Sequence, residues 1–384
     1  MKIDSPRMII YTVLFQVLVT VFVSSSASCG IRPGPKGSQP SIANQQEGHK
    51  SQSYSGPEGV TYVQLLDREH WLISDASKLW RTDDGGLTWL QSYIPTYEKG
   101  VNSYIRGLSF ISSDAGFLID RNKLYSTQDG GNKWTYVSAI SEGKDDCFLE
   151  NCFFIDALHG WAVGSVWREP TASEPNPPLY EGAILATIDG GRTWSTQRLS
   201  LPKGYPTKGT KWNIDNVFFI TDKKGWVIGD GVILWTLDGG ISWHPAQIMD
   251  KEGVGNYKGI RFLNDTFGWV TTKDAADFLV TTDGGKKWRS VKGPAPFLGP
   301  SIDVTFLTQE HGFATYIHLY ETFNGGRTWK LREIAGNNDT EYRYIRHLQD
   351  GTLLVFFFEN NKLATAISTD DGQTWSIRTY HSGK

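Results

Sequence analysis

Residues 187–194 read TIDGGRTW, and residues 236–243 read TLDGGISW. Five further stretches have nearly the same wording, at residues 82–89, 127–134, 281–288, 322–329 and 368–375. The tryptophans that end these stretches lie 45, 60, 49, 45, 41 and 46 residues apart. A repeat of this length is typical of a β-propeller blade, which has four strands. The seven copies predict an all-β, seven-bladed propeller with four antiparallel strands per blade and the repeated turn between strands C and D.

Each residue type in the repeated turn has a structural explanation. Asp and Asn side chains accept hydrogen bonds from backbone amides a residue or two onward and so hold tight turns. The glycines can adopt a positive φ, a conformation tolerable for Asp371, which replaces the first glycine of the last copy. One identical turn in every blade cannot converge on one substrate, so its acidic position is predicted to be structural, not catalytic or calcium-binding. These structural positions are Asp84, Asp129, Asp189, Asp238, Asp283, Asn324 and Asp370.

A second signature precedes the turn in five units, where a Phe is followed six residues later by a Gly and an aromatic residue. Strand A is predicted to end near the Phe and strand B to open at the Gly. Strand C then precedes the repeated turn, and strand D begins at its Trp. Every blade, including the last, is predicted to have its own strand D. The pairs are Phe110 with Gly116, Phe154 with Gly160, Phe219 with Gly225, Phe262 with Gly268 and Phe306 with Gly312.

These motifs resemble the Asp-box, or bacterial neuraminidase, repeat. Copies with the added Gly-aromatic signature look most like propellers of the photosystem II stability/assembly factor type, and the resemblance covers about residues 59–380. Seven regular copies make it specific for the fold. It is weak for function, because the same repeat occurs in sialidases, glycan hydrolases, sortilin-type receptors and assembly factors.

The chain begins with a segment typical of export. Lys2 and Arg7 precede an apolar run that is too short for a comfortable membrane span, and small residues then lead to Cys29. The approach to Cys29 resembles a bacterial lipoprotein cleavage box, with Ser26 where Leu is usual. We therefore predict a signal peptide at 1–28, a lipidated Cys29 with a flexible tether at 29–58, and the propeller at 59–384. The protein would be a cell-envelope lipoprotein on the periplasmic or extracellular side of a membrane, with ordinary secretion as the alternative.

Two cysteines remain if Cys29 carries lipid. Cys147 and Cys152 are predicted to pair as a disulfide in an oxidising compartment, and the alternative is two buried thiols. No Cys and His spacing resembles a zinc site, so we expect neither a metal nor a cofactor. The 38 basic and 41 acidic residues give a formal net charge of −3, and without a basic excess no nucleic-acid partner is expected.

The candidate binding surface lies at the face opposite the Asp boxes, where loop lengths vary. Arg106, Glu150, Asp215 and Lys258 each stand four residues before a strand-A Phe, with Arg343 roughly equivalent in blade seven. Strand A is innermost in a propeller, so these side chains are expected to ring the channel mouth. They would form a recognition surface or, alternatively, solvated loop ends with structural ion pairs. The binding candidates are Tyr104, Arg106, Trp212, Tyr257, Lys258, Arg343, Tyr344 and Arg346.

Two functions are compatible with this surface. The resemblance to the photosystem factor implies a non-catalytic binding scaffold that assists assembly or stability of a membrane-associated protein complex, and we expect a monomer. The alternative is an extracellular glycan-binding protein or a sialidase-like glycoside hydrolase. No catalytic residue carries over from sialidases, because Ile31-Arg32-Pro33 has the wrong order for their Arg-Ile-Pro motif and lies in the tether. Binding is therefore expected rather than catalysis.

Overall fold

The computed structural model describes residue 60 and residues 62–379, except 75–77, 93–103, 141–146, 168–179, 198, 200–211, 251–254, 274–276, 295–302, 335–339, 349 and 360–361. Residues 1–59, with the predicted signal peptide, Cys29 and tether, lie outside the described residues. In the described part of the chain, no helix has the length and apolar character needed to cross a membrane.

Seven sheets follow one another along the chain, each with four antiparallel strands in sequence order, which confirms the predicted seven-bladed propeller. The last sheet consists of four consecutive strands, so blade seven has its own strand D. The strands, blade by blade, are β1 (Tyr62–Leu65), β2 (Trp71–Ser74), β3 (Leu79–Thr82) and β4 (Leu90–Gln91); β5 (Ile105–Phe110), β6 (Gly116–Asp120), β7 (Lys123–Thr127) and β8 (Thr135–Ala139); β9 (Cys147–Phe154), β10 (Gly160–Trp167), β11 (Tyr180–Thr187) and β12 (Ser195–Gln197); β13 (Ile214–Phe219), β14 (Gly225–Gly229), β15 (Val232–Thr236) and β16 (His244–Pro245); β18 (Tyr257–Phe262), β19 (Gly268–Thr272), β20 (Phe278–Thr281) and β21 (Lys287–Val291); β22 (Asp303–Phe306), β23 (Gly312–Tyr316), β24 (His318–Thr322) and β25 (Lys330–Arg332); and β26 (Thr340–His347), β27 (Leu353–Glu359), β28 (Lys362–Ser368) and β29 (Ser376–Thr379).

Blade five has one additional strand. The connection from blade four contains β17 (Gln247–Ile248), which pairs in parallel with β21, the outer strand of blade five. The Gln247 amide donates to the Lys286 carbonyl oxygen at 2.8 Å, and the Met249 amide donates to that of Trp288 at 2.8 Å. The connection therefore covers the outer edge of this sheet.

Side-chain hydrogen bonds close the Asp-box turn in the same way in all seven blades. In blade three the Thr187 hydroxyl accepts from the Gly191 amide at 2.9 Å and donates to the Asp189 carboxylate at 2.8 Å. That carboxylate also accepts from the Thr193 amide at 3.0 Å, so it spans four residues rather than the one or two expected. The hydrogen bond from the Thr193 hydroxyl is the first of the contacts that lower the pKa of Asp189 to about 2.

The two irregular copies keep this turn. Asp371 replaces the first glycine of blade seven and has a φ of 56°, close to the 76° of Gly190 at the same position in blade three. Asp enters this left-handed region more readily than most residues, as the sequence analysis assumed. In blade six the amide oxygen of Asn324 replaces the carboxylate and accepts from the Thr328 amide at 2.9 Å. The geometry of the turn thus depends on an acceptor oxygen, not on a charge.

The Gly-aromatic signature packs neighbouring blades together. The Trp161 ring of blade three stacks on Phe219 of blade four with centroids 3.5 Å apart. Trp226 stacks in the same way on Phe262 of blade five at 3.8 Å. The Gly that precedes each ring lies opposite the Phe of its own blade, as Gly160 lies opposite Phe154. A Cβ atom at Gly160 would lie 2.5 Å from the Phe154 ring, which explains why no larger residue stands there.

Side chains close the ring between blade seven and blade one. Trp71 meets Phe356 edge to face with centroids 5.5 Å apart. The Tyr344 hydroxyl donates to the Val60 carbonyl oxygen at 2.8 Å. On the outside, the Arg378 guanidinium donates to the Asp84 carbonyl oxygen in the Asp box of blade one at 3.2 Å. This junction therefore resembles the other junctions between blades and includes no shared sheet among the described strands.

The predicted disulfide between Cys147 and Cys152 is wrong. Both residues belong to β9, and no disulfide joins them. A strand rises about 3.3 Å per residue, so two Cα atoms five residues apart are far beyond the ~7 Å limit for a disulfide. Cys152 is buried in the core, where burial raises its thiol pKa above the ordinary value.

Replacement of Gly160 by alanine should destabilise the propeller. The new methyl group overlaps the Phe154 ring, and overpacking of this kind costs about 1–3 kcal/mol. Gly255→Ala is the matched control, because a Cβ atom there meets no heavy atom within 4 Å and the backbone has no positive φ. Urea unfolding of both variants measures the difference. Equal stabilities of the two variants would contradict the packing explanation of the signature.

Candidate functional site

Five innermost strands carry a β-bulge toward the face opposite the Asp boxes. These strands contact one another around the channel, as β5 contacts β9 and β9 contacts β13. At each bulge one residue is skipped in the pairing with strand B, and a bulge re-aims the side chains beside it. The skipped residues, which we call the collar, are the five that the sequence places at equivalent positions. They are Arg106, Glu150, Asp215, Lys258 and Arg343.

An ion pair between two collar residues joins blades two and three. The Arg106 Nη1 lies 2.7 Å from the Glu150 Oε2, and both side chains are partly exposed. The Arg106 guanidinium also lies over the ring of Tyr104, 4.0 Å from its centroid. Burial raises the pKa of Glu150, although Arg106 and Lys273 act in the opposite direction. Arg106 is therefore held in place by a carboxylate on one side and a ring on the other.

Blades four and five are joined by a lysine that the sequence analysis missed. Lys273 Nζ, just after β19, lies 2.8 Å from the Asp215 Oδ2 and 3.3 Å from the Asp230 Oδ1. Burial raises the pKa of Asp215 to about 7 despite this cation. Two blades thus share one partly buried charge network, in which two carboxylates surround one lysine.

Blades five, six and seven surround a second charge network deeper in the channel. The Asp303 carboxylate of β22 pairs with Arg346 of β26 and lies 3.4 Å from the Arg261 Nη1 of β18. It also accepts from the Ile345 amide at 2.9 Å. Burial would raise the pKa of Asp303, but Arg346 and Arg261 bring it below its ordinary value. Arg346, predicted as a surface binding residue, is only 1% exposed and belongs to this interior network.

Three predicted binding residues are core residues, which corrects the expectation of an exposed surface. Trp212 packs over Gly182, and Tyr257 is fully buried between blades. Tyr344 is buried in the junction between blades seven and one. The sequence predicts that these residues lie near the channel mouth, but it does not determine which side of the strand each ring faces. Rings that face a neighbouring blade pack there, because burying an aromatic side chain is strongly favourable.

The remaining candidates reach solvent at the mouth. Tyr104 and Arg343 are exposed, and Arg343 Nη2 pairs with the Glu341 Oε1 of its own strand at 2.8 Å. Lys258 is half-buried and faces the deeper network, where burial lowers its pKa to about 8. The candidates are therefore divided among the mouth, the channel and the core.

An aromatic cluster beside the collar was also missed. Phe148 of β9 is 46% exposed and meets Tyr180 of β11 edge to face, with centroids 5.4 Å apart. Tyr180 meets Trp167 of β10 at 5.3 Å in the same arrangement. Phe148 lies on β9, the strand whose Glu150 pairs with Arg106 of blade two. The signal in the sequence was the pair of aromatic residues, Trp167 and Tyr180, on either side of residues 168–179.

Asp303 escaped the sequence comparison for a geometric reason. It stands three residues before Phe306, whereas Arg106, Glu150, Asp215 and Lys258 each stand four residues before a Phe. The described part of β22 pairs with β23 without a register shift, so no bulge adds a residue there. A fixed count from the Phe therefore finds the wrong residue in blade six. Among all described residues, no three His, Cys, Asp or Glu side chains group in a way that could hold a metal ion.

Residues 205–299, which include all strands of blades four and five, match the family model of the photosynthesis system II assembly factor YCF48. This stretch is therefore similar to a repeat domain of the YCF48 type. The predicted resemblance to this type of propeller is thereby confirmed. A curated relative, the photosystem II assembly protein Ycf48 of Synechococcus sp. (strain JA-2-3B'a(2-13)), is 24% identical over 315 residues, which cover 73% of this chain and 86% of that protein.

Solved structures share the fold. A structure of YCF48 bound to a D1 peptide aligns with a TM-score of 0.53 at 16% identity, covering 76% of this chain and 87% of that one. YCF48 from Cyanidioschyzon merolae aligns equally well and is covered to 90%. An ancestral GH74 enzyme reaches a TM-score of 0.55 at 15% identity, covering 84% of this chain and 48% of that enzyme. At these identities the likeness shows the propeller fold alone.

The raised pKa of Asp215 predicts a pH-dependent stability. An acid whose folded pKa of about 7 exceeds its unfolded value of ~3.9 contributes stability below pH 4 that is lost as the pH rises toward 7. Asp215→Asn should not show this loss. Its Tm relative to wild type should therefore rise between pH 5 and pH 8, by roughly 2 °C for each unit of pKa shift. Asp222→Asn, an exposed carboxylate of the same blade, should show no such trend, and a parallel trend in both variants would contradict the assignment.

Proposed function

We propose that this protein is a non-catalytic, membrane-anchored scaffold that binds a membrane-associated protein complex and assists its assembly or stability. The bound segment would lie on the aromatic cluster and Arg106, at the face opposite the Asp boxes. The source of the anchor would be a lipid on Cys29. In this proposal the seven-bladed propeller is a rigid frame, and blades two and three carry the recognition surface.

The exposed rings of Tyr104 and Phe148, on neighbouring blades, are the observation that carries the proposal. Tyr104, Phe148 and Tyr180 come from two neighbouring blades and are held by edge contacts and by the Arg106–Glu150 pair. Aromatic and Arg side chains dominate the binding energy of protein interfaces, particularly when they are held in place before binding. The surface is therefore suited to an extended protein segment with apolar side chains and a nearby acidic group.

The comparisons support the same class of function. The family model and the curated relative are both assembly factors of photosystem II by name, and a related propeller binds a D1 peptide. We therefore propose that the ligand of this chain is also a segment of a protein. Glycan binding is the alternative, because exposed aromatic rings can also stack on sugars.

Loss of the exposed rings should weaken partner capture. The double variant Tyr104→Ala/Phe148→Ala removes two exposed side chains and leaves the core intact, so its Tm should stay near that of wild type. Binding should weaken by about tenfold or more, since each interface aromatic contributes on the order of 1–2 kcal/mol. The measurements are fluorescence anisotropy with the D1 peptide that YCF48 binds and affinity purification from solubilised membranes.

The matched control lies on the opposite face. Ile188 and Ile241 are exposed side chains of two Asp boxes, at 75% and 82%. Ile188→Ala/Ile241→Ala should bind as wild type does. Equal loss of binding in both double variants, or in neither, would contradict the proposed surface. Binding to a glycan panel that depends on Phe148, without capture of any protein, would favour the alternative function.

The anchor has a separate test. Cells that express the full chain should incorporate a palmitate analogue into the protein, and Cys29→Ser should abolish the labelling. The wild-type protein should remain with membranes after washing, whereas the variant should be released, because several acyl chains are needed for stable anchoring. Cys147→Ser serves as the control and should keep the label. If the wild-type protein incorporated no label, the lipid anchor would be contradicted and simple secretion would remain as the explanation.

A further inference from the structure

The Asp-box turn of blade six has an amide where the other six turns have a carboxylate. Asn324 is also the only asparagine of the chain that a glycine follows. Asparagine is a thermally labile residue type, because the backbone nitrogen of the next residue can attack its side-chain carbonyl carbon. A glycine has no side chain to hinder this attack and allows the widest range of backbone angles. The Asn324–Gly325 pair is therefore the point of the chain where loss of ammonia is chemically easiest.

The folded turn engages both of the groups that would react. The Gly325 amide, whose nitrogen is the attacking atom, donates to the Glu310 carbonyl oxygen at 2.9 Å. The Asn324 Oδ1 accepts from the Thr328 amide at 2.9 Å and from the Thr322 hydroxyl at 3.1 Å. The Asn324 Nδ2 donates to the Thr328 hydroxyl at 2.8 Å. Several hydrogen bonds must therefore break before the nitrogen can reach the carbon.

The hydroxyl of Thr322 holds the two halves of the turn together. It donates to Asn324 and accepts from the Gly326 amide at 3.0 Å. Gly325, between these two residues, is buried and has a φ of 68°. The reaction thus requires that the turn itself opens locally, a motion that costs much less than unfolding of the whole chain.

We propose that Asn324 is a site of spontaneous deamidation that the closed Asp-box turn protects and that local opening of blade six exposes. The Gly325 nitrogen forms a bond to the Asn324 Cγ, the bond from Cγ to Nδ2 breaks, and ammonia leaves with the proton of the Gly325 amide. Water then opens the cyclic imide at either of its carbonyl groups. This inference concerns blade six and does not rest on the proposed function at blades two and three.

The two products have different consequences for the turn. Water that adds to the side-chain carbonyl gives an ordinary aspartate, which is the residue of blade three, where Asp189 accepts from the Thr193 amide and hydroxyl. Water that adds to the main-chain carbonyl gives isoaspartate, which inserts one more carbon atom into the backbone between Thr322 and Gly326. The hydrogen bond between these two residues depends on their spacing. We therefore expect the turn to close again with aspartate but not with isoaspartate.

The rate of deamidation in the purified full chain tests the protection. The protein and a synthetic peptide of residues 320–330 are incubated together at mildly alkaline pH, and mass spectrometry measures the conversion of Asn324 in each. The protein should react about a hundredfold more slowly than the peptide, because several hydrogen bonds must open first. Equal rates in the protein and the peptide would overturn the proposal.

Two pairs of matched variants separate local opening from global unfolding. Thr322→Val removes the hydroxyl from the turn of blade six, and Thr187→Val removes the equivalent hydroxyl from blade three. Thr322→Val should accelerate the deamidation of Asn324 by about tenfold, the effect of one or two lost hydrogen bonds. Thr187→Val should react as wild type does. The exposed pair Thr328→Ala and Thr193→Ala repeats the comparison if Thr322→Val fails to fold. Equal acceleration within either pair, or none, would overturn the role of the blade-six turn.

Limited proteolysis of aged protein tests the fate of the two products. Molecules with isoaspartate at position 324 should be cleaved first, because their turn cannot close, and molecules with aspartate should resist as the fresh protein does. Equal resistance of both products would contradict the expected effect on the turn.

Discussion

The stack of an aromatic ring on the Phe of the next blade is the contact on which the rest of the propeller depends. Trp161 lies flat on Phe219, and Trp226 lies flat on Phe262, so the distance between neighbouring sheets is set by two ring thicknesses. The glycine before each ring leaves room for the Phe of its own blade. Close packing of this kind fixes the angle between successive sheets and brings the innermost strands together around the channel.

The architecture could be predicted because each unit repeats the same short sequence motifs, which determine the local structure. A turn such as Thr187–Trp194 is closed by neighbours in sequence, so its geometry follows from those few residues. The collar was also found by counting from the Phe, since the bulge recurs at the same distance. Burial was not predictable in this way. Whether Tyr257 faces solvent or the next blade depends on how strands of different blades meet, which no local pattern of residues reveals.

The charged residues show the same division between local and distant causes. The pair of Arg106 with Glu150 and that of Asp303 with Arg346 each join different blades, across more than forty positions of sequence. The predicted disulfide failed because Cys147 and Cys152 belong to the same strand, β9, whose extended backbone separates them. The Phe148 ring is likewise part of a cluster only through its contact with Tyr180, which lies on a different strand. Sites composed of several blades therefore had to be seen in three dimensions.

Every sheet of this propeller is built from one uninterrupted stretch of chain, including the sheet of blade seven. The junction between the last and first blades is held by side chains such as Trp71, Phe356 and Arg378. A gene for such a chain can gain or lose a whole unit without any strand having to change its partner within a sheet. Only the angle of the remaining wedges must adjust. This modularity offers an evolutionary route between propellers with different numbers of blades.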